Sequence, residues 1–466
     1  MLAASTAIDP YLEDASGYRG EADQVFLPAD LQELREIVKA ATGRRIPLTV
    51  SGAGTGLTGA RVPHGGWVVS LDRFRSIEIM PGRARCGAAA TLDQLQEAAA
   101  PTKQFFGPNP TESAASIGGV IATNAGGARS FHYGSVRRHV LALEVTFMDG
   151  ETRTFRRGDR VDFPVTPIRI PATTKNSAGY FLKPDVEWVD LLAGSEGTLG
   201  IVTAAELQLF PDPGAILSGI VFFPSEEDAL DAVDAWRPIP ELRLLEFVDG
   251  SALNLIRERY PEIPAAAKAA LLIEQNLRSQ DDHEVDAWAV RLHQQHAFEE
   301  QSWFGFSAAD RERFREFRHA LPVLTLEVVR RIGFPKAGTD YAVPLNRYRE
   351  LHAYYKRRCE EVIPGQYWIY GHVGDANNHV HLFPASPEQV QQVEALMYEF
   401  AQKVVALGGT VAAEHGVGKS KAYLLELMYS PDELEAMKAV KRRVDPHWLL
   451  GRGNVFRVEE RGEAAY

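Results

Sequence analysis

Residues Ser51 to Pro63 read S-G-A-G-T-G-L-T-G-A-R-V-P and follow a short apolar run, Ile46 to Val50, that is typical of a β-strand. Glycine lets a backbone adopt positive φ and approach a ligand closely, and consecutive N–H groups can then turn towards one anion. A loop of this kind typically binds a phosphate or pyrophosphate. The spacing matches neither G-x-G-x-x-G before a helix nor G-x-x-x-x-G-K-[ST]. Taken alone, the stretch is equally consistent with a tight structural loop.

Two further glycine-rich segments lie in the first half of the chain. Gly107 to Gly127 reads G-P-N-P-T-E-S-A-A-S-I-G-G-V-I-A-T-N-A-G-G, and Gly194 to Val202 reads G-S-E-G-T-L-G-I-V. The uncharged part of the first, from Ser116 onwards, indicates backbone buried close to a flat ligand. One large ligand that carries phosphates and a flat ring system explains all three segments together. Three unrelated tight turns are the alternative.

The segments around these loops predict a mixed α/β first half and an α+β second half with an antiparallel sheet. Asp30 and Glu33 resemble a capping box at the start of a helix, and Gly43 is the predicted stop. Thr91 with Gln94 predicts a second capped helix. Pro211 to Gly214 reads as a boundary, which predicts domains at 1–212 and 213–466. Beyond it, the predicted strands are Ile216–Phe223, Leu242–Val248, Ala270–Gln275 and Ala297–Trp303, and the predicted helices are Ser225–Trp236 and Asp281–Gln295.

Charge and composition exclude several classes of protein. The formal net charge of −12 argues against a nucleic-acid partner. Cys86 and Cys359 form no C-x-x-C and give no ligand set for an iron–sulfur cluster. The sequence contains no apolar run of about 18 residues, so no transmembrane helix is predicted. The N-terminus lacks the features of a signal peptide. We therefore expect a cytoplasmic protein, with any membrane association made through a partner. The closing segment 462–466 is expected to be loosely held.

Three histidines surround a polar turn in Tyr367 to Pro384, Y-W-I-Y-G-H-V-G-D-A-N-N-H-V-H-L-F-P. His372 ends the first strand-like run, and His379 and His381 share one face of the second because they are two residues apart. A hairpin could bring His372 beside them. Neutral imidazoles suit zinc or another transition metal. Histidines with only a structural role are the alternative.

A second polar cluster follows at Ala412 to Lys419, A-A-E-H-G-V-G-K. Glu414 could complete a two-histidine metal site, and His415 is a candidate general base because its ordinary pKa lies near neutrality. A helix start is the alternative. Upstream, Arg318 and Lys336 could capture a substrate carboxylate; solvated surface charges are the alternative for each.

Together these segments resemble the FAD-linked oxidase family of the vanillyl-alcohol oxidase type, over nearly the whole chain. The branch that the chain looks most like holds the D-lactate, glycolate and D-2-hydroxyglutarate dehydrogenases. Its markers, in this order, are S-G-A-G-T-G-L-T-G, S-I-G-G-V-I-A-T-N-A-G-G, G-S-E-G-T-L-G-I-V-T, H-V-G-D-A-N-N-H and E-H-G-V-G-K. The resemblance implies an α+β fold: an N-terminal FAD-binding domain and a cap domain, with an antiparallel sheet and flanking helices, whose C-terminal segment returns to the flavin.

The resemblance also implies site residues. Metal ligands would fall on His372, His379 and Glu414, with Zn²⁺ as the expected ion and His415 as the base. Arg318 and Lys336 match positions associated with the substrate carboxylate, and His381 stands where Asn is frequent and is predicted to contact the substrate. The residues expected to contact FAD are Ser51, Gly52, Ala53, Gly54, Thr55, Gly56, Pro108, Asn109, Ser116, Gly118, Asn124, Gly126, Gly127, Glu196, Gly197 and Ile201.

Three further departures from the family pattern bear on these assignments. Thr55 stands where covalent members carry a flavin-linked histidine, so FAD is expected to be bound non-covalently. Ser51 stands where Arg is common. Residues Gly451 to Asn454, G-R-G-N, replace the frequent N-P-G-K.

The function implied is metal-assisted oxidation of a D-2-hydroxy acid (lactate, glycolate or 2-hydroxyglutarate type) to the 2-oxo acid, with hydride transfer to flavin N5. A separate electron acceptor, soluble or membrane-linked, is expected, and a homodimer is one candidate oligomeric state. The alternatives are a non-catalytic flavin-binding subunit of a larger redox complex, an oxidase that uses O₂, and a flavin-dependent transferase such as the ether-lipid synthases.

Overall fold

The computed structural model describes residues 4–279 and 283–458. In the first half, the strands are β1 (Gln24–Phe26), β2 (Leu48–Ser51), β3 (Trp67–Ser70), β4 (Ile77–Met80), β5 (Arg83–Gly87), β6 (Gln104–Phe105), β7 (Val140–Thr146), β8 (Thr152–Arg156), β9 (Ile201–Gln208) and β10 (Phe210–Pro211). The helices there are α1 (Leu31–Arg44), α2 (Leu92–Ala99), α3 (Ile117–Ala122), α4 (Ser130–Tyr133) and α5 (Trp188–Leu192).

In the second half, the strands are β11 (Ala215–Phe223), β12 (Leu242–Asp249), β13 (Ala269–Leu277), β14 (Trp303–Gly305), β15 (Ala337–Gly338), β16 (Tyr367–His372) and β17 (Asn377–Leu382). The helices are α6 (Glu226–Trp236), α7 (Gly250–Ile256), α8 (His283–Gln294), α9 (Ala308–Ile332), α10 (Tyr348–Val362), α11 (Pro387–Ala406), α12 (Leu425–Met428) and α13 (Pro431–Val444).

The strands of the described residues form two larger sheets and two small ones. In the first half, β1, β3 and β2 make a parallel sheet, and β4-β5-β9-β7-β8 make an antiparallel sheet. In the second half, β14-β11-β13-β12-β16-β17-β15 form one antiparallel sheet. The predicted α+β class with an antiparallel cap sheet is confirmed.

The end of the chain returns to the first half. Leu48 of β2 forms a parallel bridge with Leu450, the N–H of Leu48 donates to Leu449 O, and the N–H of Gly451 donates to Leu48 O. Both leucines are buried in the core around α1. The segment that follows α13 is therefore anchored beside the strand that leads into the first glycine loop.

Two local predictions were wrong. Gly43 lies inside α1, which ends instead at Arg45 in a left-handed conformation with φ 57°. The N–H groups of Arg45 and Ile46 bond back to the last turn, so the helix closes without a glycine. The strand predicted at Ala297–Trp303 begins only at Trp303, because Glu299–Gln301 form a 3₁₀ turn.

The other predicted elements are confirmed to within a few residues. Asp30 and Thr91 are the N-caps of α1 and α2, as their spacing predicted. Ser225, the first residue of the next predicted helix, is the N-cap of α6. The first residues of the predicted helix Asp281–Gln295, at 281 and 282, and the closing segment 462–466 lie outside the described residues. Within 4–279 and 283–458, no helix is both long enough and apolar enough to cross a membrane.

Candidate active site

The three histidines lie on the hairpin formed by β16 and β17. Tyr370 pairs with His379 and Trp368 with His381, so His372, two residues beyond Tyr370, shares their face of the sheet. The turn closes through Ala376 in a left-handed conformation. Gly371 has φ +135°, and a Cβ there would lie 2.9 Å from the ring of His379. The glycine thus leaves room for the imidazole, and the predicted convergence of the three rings is confirmed.

Two of these imidazoles meet the carboxylate of Glu414. Nε2 of His372 lies 3.1 Å from Oε1 of Glu414, and Nε2 of His379 lies 3.4 Å from the same oxygen. One ligand atom from each of the three residues lies within 4.8 Å of the other two, and all three side chains are buried. Three converging N and O donors from two His and one carboxylate are the ligand set of many catalytic zinc sites.

The opposite edges of the two rings are held by the protein. Nδ1 of His379 lies 2.8 Å from the carbonyl oxygen of Thr339, to which it can only donate, so Nε2 carries the free lone pair. Nδ1 of His372 lies 2.5 Å from Oε1 of Glu246. Ring N–H groups anchored in this way are the usual outer support of metal-bound histidines. The residues present therefore fit a divalent transition metal.

A buried lysine that the sequence reasoning missed completes the surroundings of Glu414. Nζ of Lys175 lies 3.0 Å from Oε2 of Glu414, 3.2 Å from Oδ2 of Asp375 and 3.4 Å from Oδ1 of Asn377. Burial alone would lower the pKa of Lys175, but the two carboxylates raise it above its ordinary value. Lys175 is thus a fixed cation that occupies Oε2, while Oε1 faces the histidines.

His415 adjoins this cluster and is held by Asp340, which the sequence reasoning also missed. Oδ2 of Asp340 accepts a hydrogen bond from the backbone N–H of His415 at 2.9 Å and lies 3.3 Å from its Nδ1. Nε2 of His415 lies 3.6 Å from Oε1 of Glu414, and the side chain is 30% exposed. Burial alone would raise the pKa of Asp340, but the interaction of this carboxylate with His415 lowers that pKa below its ordinary value. The imidazole is oriented with Nδ1 on Asp340 and Nε2 towards the cluster of His372, His379 and Glu414.

The predicted carboxylate-binding residues lie around the same cluster, but in different electrostatic states. Nε of Arg318 donates to Oε2 of Glu246 at 2.6 Å. Burial would raise the pKa of Glu246; Arg318 and then His372 hold it far below its usual range. Lys336, by contrast, has its pKa lowered to about 8 by burial and by a neighbouring lysine, Lys421.

His381 lies between these groups. Its ring stacks on Tyr370 with centroids 4.5 Å apart and an interplanar angle of 17°. Its Nδ1 accepts from Nζ of Lys336 at 3.4 Å, and its buried Nε2 has no hydrogen-bond partner among the described residues. Burial, then the charge of Lys336, lowers its pKa well below the ordinary value. His381 is therefore a neutral ring with a free N–H.

The three glycine-rich segments lie against one another. Oγ of Ser116 accepts from the N–H of Ala53 at 3.4 Å, which joins the first segment to the second. The N–H of Gly194 donates to Ile121 O and the N–H of Glu196 to Ala122 O, both at 2.8 Å. These two bonds join the second segment to the third. A Cβ on Gly126 would lie 2.9 Å from Oε2 of Glu414, so the second segment also borders the histidine cluster.

The first segment has the features of an anion cradle. Gly54 has φ +80°, and the N–H groups of Gly54, Thr55 and Gly56 donate to no acceptor among the described residues. Such free, consecutive N–H groups suit a pyrophosphate. Glu196, predicted to contact FAD, has its carboxylate committed to the backbone N–H groups of Val417 and Gly418, at 2.9 and 2.7 Å. It joins the third glycine segment to the turn that carries Glu414 and His415.

Comparison with known proteins agrees with this architecture. Residues 22–156 match the model of an FAD binding domain, and residues 213–455 match that of the FAD linked oxidases, C-terminal domain. A D-lactate dehydrogenase of Archaeoglobus fulgidus is 32% identical, over 93% of this chain and 91% of its own length. The glycolate oxidase subunit GlcD of Bacillus subtilis is 30% identical, over 95% of this chain and 91% of its own length.

Among solved structures, an alkyldihydroxyacetonephosphate synthase superposes with a TM-score of 0.66. The match covers 93% of this chain and 76% of the synthase, at 14% sequence identity. A likeness at that identity indicates a shared fold and carries no statement about activity.

Proposed function

The chain belongs to the family of FAD-linked oxidases, and we propose that it oxidises a D-2-hydroxy acid to the 2-oxo acid. Family membership makes the protein an FAD-dependent oxidoreductase of the hydroxy-acid-oxidising type. The observation that carries the finer proposal is the convergence of Nε2 of His372 and Nε2 of His379 on one oxygen of Glu414, beside an imidazole oriented by Asp340. A flavoprotein without hydroxy-acid chemistry has no need of this cluster.

The two groups that the fold and the donor set imply would occupy adjacent places. FAD would be held non-covalently by the three glycine-rich segments, and its flavin ring, when bound, supplies a hydride acceptor at N5. A divalent metal, expected to be Zn²⁺, would be held by His372, His379 and Glu414, and supplies Lewis acidity that lowers the pKa of an alcohol.

In this proposal His415 is the general base. Its Nδ1 faces Asp340, so its Nε2 is the nitrogen available to take the hydroxyl proton. Asp340 keeps the ring in that orientation and stabilises the imidazolium that results, as the carboxylate does in a hydrolase triad. The exposed fraction of His415 gives the proton a way out to solvent.

Three groups are proposed to bind the substrate: Lys336, His381 and Arg318. The ammonium of Lys336 and the free ring N–H of His381 are donors without a protein carboxylate. Arg318 has its Nε engaged by Glu246, which leaves only its terminal nitrogens for a substrate. We propose a cytoplasmic enzyme that passes electrons to a separate acceptor; the description of a relative as a glycolate oxidase subunit supports a partner protein.

Three other functions fit the fold and are distinguishable. A flavin-binding subunit without catalysis would bind FAD but show no flavin reduction by any hydroxy acid. A transferase of the synthase type would not need a metal at the histidine cluster. An oxidase would differ from a dehydrogenase only in how fast the reduced flavin reacts with O₂.

The deciding experiment is anaerobic. Purified holoenzyme is mixed with D- and L-enantiomers of lactate, 2-hydroxyglutarate and related acids, and with glycolate, while the absorbance of the oxidised flavin is followed. Bleaching by D-2-hydroxy acids and not by their L-enantiomers is the expected result. Failure of every acid to bleach a flavin that dithionite can reduce, in protein with full metal content, would remove the proposal. Readmission of air then separates an oxidase from a dehydrogenase.

A further inference from the structure

A cleft of about 260 Å³ lies where the first half of the chain meets the cap sheet, and we call it the junction cleft. Its lining comes from α2 and the segment after it, from the link between β10 and β11, and from β12. None of the lining residues is among those predicted to contact FAD, the metal or the substrate. Two arginines border the cleft, Arg129 from the first half and Arg243 from the cap sheet.

A β-bulge in β12 carries Arg243. Leu242 and Leu244 pair with adjacent residues of β13, so Arg243 between them is the extra residue of the bulge. Its guanidinium carbon lies 5.8 Å from the centroid of the Phe105 ring, which belongs to β6 in the first half. Arg243 is only 3% exposed. The bulge thus brings a buried cation of the cap sheet against the first half of the chain.

Both arginines share one carboxylate, that of Glu274. Nε and Nη2 of Arg129 donate to Oε2 and Oε1 of Glu274 at 3.0 and 3.4 Å. Nε of Arg243 donates to the same Oε2 at 2.8 Å, and its Nη1 donates to Oδ1 of Asn276 at 3.1 Å. Burial alone would raise the pKa of Glu274, but the two arginines lower it to about 2. Two positive charges therefore face one negative charge.

The remaining donors of the two guanidinium groups are unused by the protein. Within residues 4–279 and 283–458, Nη2 of Arg243 and Nη1 of Arg129 form no hydrogen bond. In the same described residues, neither arginine has a carboxylate other than Glu274 within 4.0 Å. Asp212 also lines the cleft, but it is exposed and its Oδ1 accepts from the N–H of Gly214. Solvent and salt screen such a carboxylate, so it does not balance the buried cation.

The rest of the lining is mostly apolar or already paired. Phe105, Pro213 and Ile216 offer apolar surface. The amide of Gln96 is taken up by the backbone of Phe106, to whose carbonyl oxygen its Nε2 donates at 2.8 Å and from whose N–H its Oε1 accepts at 3.1 Å. The cleft therefore combines free guanidinium donors with an apolar wall.

We propose that the junction cleft binds a small organic carboxylate, whose charged group contacts Arg129 and Arg243 and whose apolar part contacts the ring of Phe105. Arginine holds a carboxylate through two parallel hydrogen bonds in a fixed planar geometry. The ligand supplies the second negative charge that the two arginines lack, and it contacts both halves of the chain. This site is additional to the proposed oxidation of a hydroxy acid and does not depend on it.

The test is a calorimetric titration of benzoate into the holoenzyme at constant ionic strength, with acetate for comparison. The wild type should bind benzoate saturably and more tightly than acetate, because only benzoate carries an apolar ring. Arg243→Met should raise the dissociation constant of benzoate about 10- to 100-fold, the usual effect of losing a hydrogen bond to a charged group. Arg129→Met, at the more exposed arginine, should act in the same direction. Arg160→Met, whose side chain is 69% exposed, is the matched control and should bind benzoate normally.

Glu274→Gln should move the affinity in the opposite direction. The variant keeps the shape of the side chain and removes the carboxylate that competes for the arginines, so benzoate should bind at least about threefold more tightly. Arginines with only a structural role predict no such gain. The visible absorbance of the flavin shows that each variant is folded and loaded with FAD.

Three results would overturn the inference. The first is the absence of saturable benzoate binding by the wild type. The second is an equal dissociation constant in the wild type, Arg243→Met and Arg129→Met, which is also what benzoate bound only at the candidate active site would give. The third is weaker binding by a Glu274→Gln protein with full flavin content.

Discussion

The carboxylate of Glu196 accepts a hydrogen bond of 2.7 Å from the backbone N–H of Gly418. The two residues are 222 positions apart and belong to different sequence motifs, one in the third glycine segment and one in the turn after Glu414 and His415. Through a second hydrogen bond, Glu196 also accepts from the backbone N–H of Val417. It fixes the turn that carries the proposed base relative to the loops that would hold FAD.

Glu196 should make the stability of the protein depend on pH. Burial raises its pKa from 4.5 to about 7, against the opposing effect of the two N–H donors. Because the folded state then holds a proton that the unfolded state releases, this group's contribution to stability falls as pH rises from about 4.5 to 7. Glu196→Gln removes the titration. The Tm of the wild type minus the Tm of Glu196→Gln should therefore fall by several degrees between about pH 5 and pH 8. This fall corresponds to a loss on the order of 3 kcal/mol in the contribution of Glu196 to the free energy of unfolding. A constant difference across that range would contradict the raised pKa.

Removal of the predicted ligands should remove the metal. Elemental analysis of the wild type is expected to find about one divalent ion per chain. His372→Ala and Glu414→Ala should each lose most of it and abolish flavin reduction by hydroxy acids, while the flavin stays bound. His293, whose side chain is 82% exposed, provides the control His293→Ala, which should keep both. Unchanged metal content and unchanged flavin reduction in both ligand variants would eliminate the metal site.

Lys175→Met should weaken metal binding without removing a ligand. Lys175 lies 3.0 Å from Oε2 of Glu414, and its loss leaves that oxygen and Asp375 without their buried cation. Outer contacts of metal ligands typically contribute 10- to 100-fold in affinity. Competition with a chelator should therefore strip the metal from this variant at about 10- to 100-fold lower chelator concentration. Lys268→Met, at an exposed lysine, is the control. Equal resistance to chelation in the wild type, Lys175→Met and Lys268→Met would show that Lys175 has no such role.

The sequence predicted the local parts of the site and missed the long-range ones. Alternation along a strand places His379 and His381 on one face, and the polar turn brings His372 to them, so the hairpin could be predicted. Lys175 could not, because it stands 239 residues from Glu414, in no recognisable motif, and only the packing of the two halves joins them. Asp340 and Glu246 were missed for the same reason: each is a single acid on an otherwise ordinary segment.

The same distinction explains the fold. Capping residues act on the next three positions, so Asp30 and Thr91 gave correct helix starts. Helix ends depend on what the chain packs against next, and α1 therefore runs past Gly43 to a left-handed Arg45. The proximity of the three glycine segments was inferred from a shared ligand. The structure brings them together through backbone hydrogen bonds and Ser116.

His415→Asn should leave FAD and metal in place and slow flavin reduction. The structure orients Nδ1 of His415 towards Asp340, so a variant without the second ring nitrogen keeps a polar contact there but cannot take the proton. The rate of flavin reduction at neutral pH is expected to fall by about 10²- to 10⁴-fold. Stopped-flow absorbance measures it, and the visible spectrum confirms that the flavin is bound. Near-normal reduction would exclude His415 as the base.

His381 should influence which hydroxy acid is accepted as the substrate. Its ring offers a hydrogen-bond donor beside the proposed metal ligands, and no described residue accepts from it. Its ring is held on Tyr370, its Nδ1 accepts from Lys336, and its buried Nε2 has no partner among the described residues. A buried, unpaired N–H favours a ligand that supplies an acceptor. Three protein ligands also leave open positions on a catalytic metal for the hydroxy acid, so His381 is not required as a fourth.

The test of this role is His381→Asn, measured with short monocarboxylic and with longer dicarboxylic D-2-hydroxy acids. Losing a hydrogen bond to a charged group costs about 1.5–3 kcal/mol, so the ratio of kcat/KM between the two classes should shift by about tenfold or more. Loss of metal from the variant would instead make His381 a ligand. An unchanged ratio with full metal content would leave His381 as a ring packed on Tyr370 that supports Lys336, because stacking and one shared hydrogen bond are all that would remain of its contacts.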